Sequence, residues 1–95
     1  MALESLIHFR REILDMAARH GARNIRVFGS VARGDDRPDS DLDLLVDVEP
    51  GRTLLDVIAF EQDLQELLGR RVDVLTEGGL SPYLQERILA EAASL

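Results

Sequence analysis

The sequence predicts an α/β (α+β) fold, a short mixed β-sheet flanked by helices, with elements in the order α-β-(turn)-β-α-β-α. Short runs rich in β-branched residues occur at NIRVFG (24–29), DLDLLVDV (41–48) and RVDVLTE (71–77). Longer segments between and around them repeat apolar residues at three-four spacing, the mark of one buried helical face. Helices laid against one sheet would bury all of these faces together. With 95 residues, 45% of them hydrophobic, the chain has the material for one modest core, and we read residues 1–95 as a single domain.

The first helix is expected from about Leu3 to about His20, where Leu3, Leu6, Ile7, Ile13, Leu14 and Ala17 share a face and Gly21 supplies a stop. The strand ending at Gly29 follows, with Ile25 and Val27 on one side and Arg26 and Phe28 on the other. A polar loop containing Pro38 leads to the second strand. There Leu42, Leu44, Val46 and Val48 alternate with Asp41, Asp43, Leu45 and Asp47. Pro50 and Gly51 break that strand, and Thr53 with Asp56 three residues on reads as a capping pair opening a helix that ends before Gly69. In the third strand Val72 and Val74 face away from Asp73 and Leu75. Ser81 and Pro82 then read as cap and first residue of a last helix carrying Leu84, Ile88, Leu89 and Ala92.

Charge and composition narrow the function. A net charge of −7 opposes sequence-independent binding to nucleic-acid phosphates, so direct nucleic-acid binding is not expected. No segment is apolar enough for a signal peptide or membrane span, which makes a cytoplasmic location, away from any membrane, the default expectation. The absence of cysteine excludes disulfides and thiolate metal sites and leaves oxygen ligands for a hard cation as the likelier metal chemistry.

The stretch GSVARGDDRPDSDLD, residues 29–43, concentrates the chemistry. On a strand, Asp41 and Asp43 project to the same side, about 7 Å apart at their attachment points. Two such charges repel by roughly 2 kcal/mol at an effective dielectric near 20. A divalent cation held against substrate phosphates would offset this; so would water on an open face, or a role in guarding a sheet edge. Gly29 and Ser30 end the preceding strand where a phosphate could approach free backbone N–H groups and the Ser hydroxyl, although the pair could equally be an ordinary turn. Arg33 offers a forked cation to phosphate oxygens, or a surface ion pair to the nearby Asp residues. Asp73, set amid Val72, Val74 and Leu75, would be costly to bury unless paired or metal-bound, and joins the pair if its strand lies beside the second.

Taken together, Gly29-Ser30, ten residues, Asp41-x-Asp43 and the Asp of RVDVL resemble the minimal nucleotidyltransferase branch of the superfamily with the polymerase-β-like nucleotidyltransferase fold. The resemblance implies that Asp41, Asp43 and Asp73 are the catalytic and metal-binding carboxylates, that Mg²⁺ (two ions) is the cofactor, and that Gly29, Ser30 and Arg33 contact the triphosphate of ATP. It also implies a role as the antitoxin of a toxin–antitoxin pair, transferring AMP to a tyrosine of a HEPN-domain ribonuclease toxin encoded by the adjacent gene. The alternatives are an antitoxin that acts by occlusion without chemistry, or transfer to RNA or a small molecule. His8 and His20 join no metal-ligand spacing. Tyr83 is expected to pack, Asp35, Asp36 and Asp39 to be solvated, and Leu54, Leu55, Ile58, Leu84 and Ile88 to serve the core or a partner surface.

Overall fold

The computed structural model describes residues 3–35, 37, 39–79 and 81–95. Asp36 and Pro38 lie outside the described residues. Helices α1 (Leu3–Ile7) and α2 (Arg10–Arg19) lead to strand β1 (Ala22–Phe28), short helix α3 (Gly29–Arg33) and strand β2 (Leu42–Val48). Helix α4 (Leu54–Leu68), strand β3 (Val72–Thr76), a 3₁₀ turn (Glu77–Gly79), helix α5 (Pro82–Glu91) and strand β4 (Ala93–Ser94) complete the chain.

Where one N-terminal helix was expected there are two, because the chain tightens at Phe9, whose N–H bonds to Leu6 O at 3.0 Å, three residues back rather than four. The tightened turn keeps Leu6, Phe9 and Ile13 all against the core, while Ile7 points to solvent and His8 sits in the turn. His20 caps α2 and brings its Nε2 to 2.7 Å from Asp63 Oδ2, with its ring tilted over Phe60. It joins α2 to α4.

The sheet has the order β3-β2-β1-β4, with β2 antiparallel to β1 and parallel to β3, and β4 antiparallel to β1. A bulge between Arg23 and Arg26, with Asn24 at φ 52°, resets the alternation of β1. Ala22, Ile25 and Val27 therefore all face the core although their spacing is not two by two. Along β2, Leu42, Leu44 and Val46 face Ile13, Ala17, Phe60 and Leu64 of α2 and α4 in the main core. The other face of the sheet is covered by α5, where Phe28, Leu45 and Ile88 form a second, smaller cluster. β3 is an edge strand, and α4 side chains cap its outward N–H groups: Val72 N–H donates to Gln65 Oε1 at 3.3 Å and Val74 N–H to Glu61 Oε2 at 3.0 Å.

The capping pair at α4 forms as expected, with Leu55 N–H donating to Thr53 Oγ1 at 3.2 Å and Thr53 N–H to Asp56 Oδ2 at 2.9 Å. That bond holds the Asp56 carboxyl below its ordinary pKa. Thr53→Ala is expected to cost about 1 kcal/mol, read as a fall in melting temperature of about 4–8 °C by circular dichroism.

Tyr83 corrects an expectation. It stands 91% exposed in the first turn of α5, beyond the stretch where Ile88 meets the sheet. Leu54, Leu55, Ile58 and Leu84 are exposed as well, and only Ile88 of that group is buried. No helix among the described residues is long and apolar enough to cross a membrane.

Candidate active site

One row of the sheet brings the acidic residues together. Phe28 pairs with Asp43 across the antiparallel β1–β2 ladder, and Asp43 pairs with Asp73 across the parallel β2–β3 ladder. The carboxyl end of β1 and the amino ends of β2 and β3 thus meet at one end of the sheet. Asp43 and Asp73, in register on neighbouring strands, belong to the same face, the one on which Phe28 and Leu45 pack against Ile88 of α5. Asp41 stands just before β2, half-buried, with Arg71 Nε at 3.7 Å from its Oδ1.

The next residue after Phe28 is Gly29, at φ +75°, a conformation L side chains rarely adopt. A Cβ built there would collide with the Asp43 carboxylate oxygen Oδ2, so the missing side chain is what lets the acid sit against the turn. Gly29 and Ser30 open α3, the first N–H groups of any helix lack intrahelical partners, and both residues are half-buried beside the row. Val31 anchors α3 in the core.

Asp43 is the electrostatic centre. Its pKa is raised from 3.8 to about 6, first by burial and then by the negative charges of Asp73 and Asp41, with Arg33 acting in the opposite direction. Asp73 is exposed, which corrects the expectation of a buried acid: β3 lies at the sheet edge, and register rather than burial places Asp73 in the row. Asp47 shares the face but is taken up elsewhere, by Arg26 at 3.0 Å and Asn24 at 3.1 Å.

Arg33 is committed to ion pairs, with Nη1 at 2.8 Å from Glu91 Oε1 and Nε at 3.4 Å from Asp35 Oδ2. The Asp35 contact follows from sequence proximity; Glu91, fifty-eight residues away, had no signal in the sequence. Arg71 was likewise missed, because only the pairing of β3 with β2 carries it to Asp41.

The donor set suits a hard divalent cation: three oxygen-bearing carboxylates at one sheet end, one of them pushed toward protonation by burial and then by the charges of the other two. Among the described residues no three His, Asp or Glu side chains are already drawn into ligand geometry. An open groove of about 380 Å³, lined by Met16, Arg19, Asp63, Glu66 and Leu67, lies between α2 and α4, on the helical side of the sheet and apart from the acidic row.

Comparison with known proteins agrees with this architecture. Residues 9–95 match the nucleotidyltransferase domain family. The chain is 38% identical over 89 residues to the protein adenylyltransferase MntA of Thermococcus cleftensis, covering 94% of this chain and 88% of that one. It is 40% identical over 86 residues to a protein of Methanocaldococcus jannaschii named as a candidate protein adenylyltransferase, covering 90% and 92%. A solved structure named as a candidate minimal nucleotidyltransferase superposes with TM-score 0.89 at 56% identity, over 100% of this chain and 97% of that one. The fold also recurs, at 17% identity and TM-score 0.67, in a complex of a tri-AMPylated Shewanella oneidensis HEPN toxin with its MNT antitoxin, over 88% of this chain and 66% of that one. The chain, whose mixed sheet sets Asp43 and Asp73 in one row and which is matched in family and fold along nearly its whole length, belongs to the nucleotidyltransferase domain family in its minimal form.

Proposed function

We propose that this protein is a protein adenylyltransferase that transfers AMP from ATP to a tyrosine of a HEPN-domain toxin and so acts as its antitoxin. The observation that carries the reading is the row in which Asp43 and Asp73 stand in register, beside a glycine whose missing side chain admits the Asp43 carboxylate. Support for the acceptor comes from relatives named as protein adenylyltransferases and from neighbours of the same fold in HEPN toxin–antitoxin complexes.

In this reading Asp41, Asp43 and Asp73 hold Mg²⁺, two ions on the family pattern. The bound metal supplies charge stabilisation at the phosphoryl oxygens and a lower pKa for the attacking hydroxyl. Gly29 and Ser30 cradle the triphosphate through backbone N–H groups and the hydroxyl, and Arg33 meets its outer oxygens. The tyrosine oxygen bonds to the α-phosphorus as the bond from that phosphorus to the bridging oxygen breaks, and pyrophosphate leaves. The tyrosine proton passes to a carboxylate of the row. Asp73 suits that part, because it lies exposed on an edge strand where an acceptor carried by another protein can reach it.

Incubating the protein with labelled ATP, Mg²⁺ and the helical toxin of the neighbouring gene is expected to put label on the toxin, and Asp41→Asn with Asp43→Asn to remove it. Toxin inhibition that survives the double substitution would assign the antitoxin effect to occlusion instead. Label on RNA or a small molecule, with none on the toxin, would replace the acceptor.

A further inference from the structure

The contacts of Arg33 are unequal in a way that separates their roles. Glu91 is the last residue of α5, and the elements on either side of it are pinned: Ile88 and Ala92 pack with Phe28 and Leu45, and β4 pairs with Arg26 and Val27 immediately afterwards. Its carboxylate is therefore a fixed point, 26% exposed, and it meets Arg33 Nη1 at 2.8 Å. Asp35 lies just past Gly34, in the stretch between α3 and β2; it is 63% exposed, and its contact to Arg33 Nε is 3.4 Å. Arg33 itself ends α3, whose first residue touches Asp43, and its charge acts on that acid.

A guanidinium presents five donors on a rigid planar fork, so one edge can be held while another is exchanged between anions. A triphosphate oxygen competes better against a long, solvated contact than against a short one from a supported helix end. We propose that Glu91 is a positioning residue for Arg33: it holds the guanidinium at the mouth of the acidic row, and Asp35 is the contact that the incoming triphosphate displaces. The role rests on the nucleotide-transfer reading above and adds to it a residue from the far end of the chain. It also makes the seating of α5 and β4 on the sheet a condition for ATP capture.

Isothermal titration of the full chain with ATP and Mg²⁺, alongside thermal melts, tests this with opposite signs. Glu91→Ala is expected to weaken ATP binding about tenfold and Glu91→Gln to fall between it and the wild type. Asp35→Asn is expected to tighten binding about two- to threefold, since a competitor for Arg33 is removed. Arg33→Ala combined with Glu91→Ala is expected to bind no more weakly than Arg33→Ala alone, because the two act as one unit. Unchanged ATP affinity in Glu91→Ala with a lowered melting temperature would reduce Glu91 to a strut between α3 and α5. Multiplying penalties in the double variant, or weaker binding in Asp35→Asn, would also overturn the assignment. If the wild type itself gives no heat with ATP and Mg²⁺, the nucleotide-transfer reading fails and the role of Glu91 fails with it; binding in the wild type that no variant alters removes only the role of Glu91.

Discussion

Asp43→Asn is expected to lower nucleotide transfer by about 10³-fold or more, as follows when several kcal/mol of metal-borne charge stabilisation is lost, and at the same time to stabilise the metal-free protein at neutral pH. The second effect comes from the cost of the carboxylate. In the folded chain the Asp43 pKa stands at about 6, above its ordinary 3.8, because burial and the charges of Asp73 and Asp41 disfavour ionisation. A raised folded pKa means that this group's contribution to stability is fully present below about pH 4 and is lost as pH rises through about 6. Asparagine cannot ionise, so the variant keeps what the wild type loses. Discounted for the half-exposed setting, the difference is about 1 kcal/mol, or about 4–8 °C in melting temperature for a domain of this size. Melts in chelator across pH 4 to 8 should show the gap opening as pH rises from about 4 and reaching its full size above about 6, and Mg²⁺ should narrow it at neutral pH by binding the wild type. Binding of Mg²⁺ to the metal-free wild type should weaken as pH falls through about 6, because the ion must then displace the proton from Asp43. Equal melting temperatures at neutral pH, or a gap that widens on acidification, would contradict this account of the row.

Gly29→Ala is expected to damage the site from the other side. At φ +75° an alanine is strained by about 1–2 kcal/mol, and its Cβ would press on the Asp43 carboxylate. Either Asp43 is pushed out of register with Asp73, or the start of α3 moves and takes Ser30 and Arg33 with it. A displacement of about 1 Å in positioned groups costs about 10²-fold in rate, so transfer should fall at least that far with a melting temperature lowered by several degrees. The combination with Asp43→Ala is diagnostic. Removing the carboxylate leaves room for the Cβ, so the stability loss from Gly29→Ala should shrink to its backbone part in that background. A full, additive loss there would mean that contact with Asp43 is not why position 29 is glycine.

The elements that local chemistry specifies were legible in the amino-acid sequence. The alternation of DLDLLVDV gave both the strand and the side of it on which Asp43 stands, the Thr53–Asp56 pair and Gly69 bounded α4, and Ser81-Pro82 marked the start of α5. The bulge at Asn24 was not legible, because only pairing with β2 rewards a shift of phase within β1. β4 was missed because two residues have no period, and the split of the first helix because the spacing of Leu6, Phe9 and Ile13 suits both one helix and two.

The same division runs through the site. Strand alternation alone set Asp41 and Asp43 on one side, the resemblance of the combined spacing joined Gly29 and Ser30 to them, and the fold brings Gly29 against Asp43. Tertiary structure decided that Asp73 is the register partner of Asp43, that it is exposed, that Arg71 stands beside Asp41, and that Glu91 rather than a loop acid makes the short contact to Arg33. The physical reason is that dihedral preferences and side-chain periodicity act over a few residues and are written locally. The pairing of β3 with β2 is set by burial of Val72 and Val74 with Leu42 and Leu44, and the seating of α5 by burial of Phe28, Leu45 and Ile88 together, and these exist only once the whole sheet has formed.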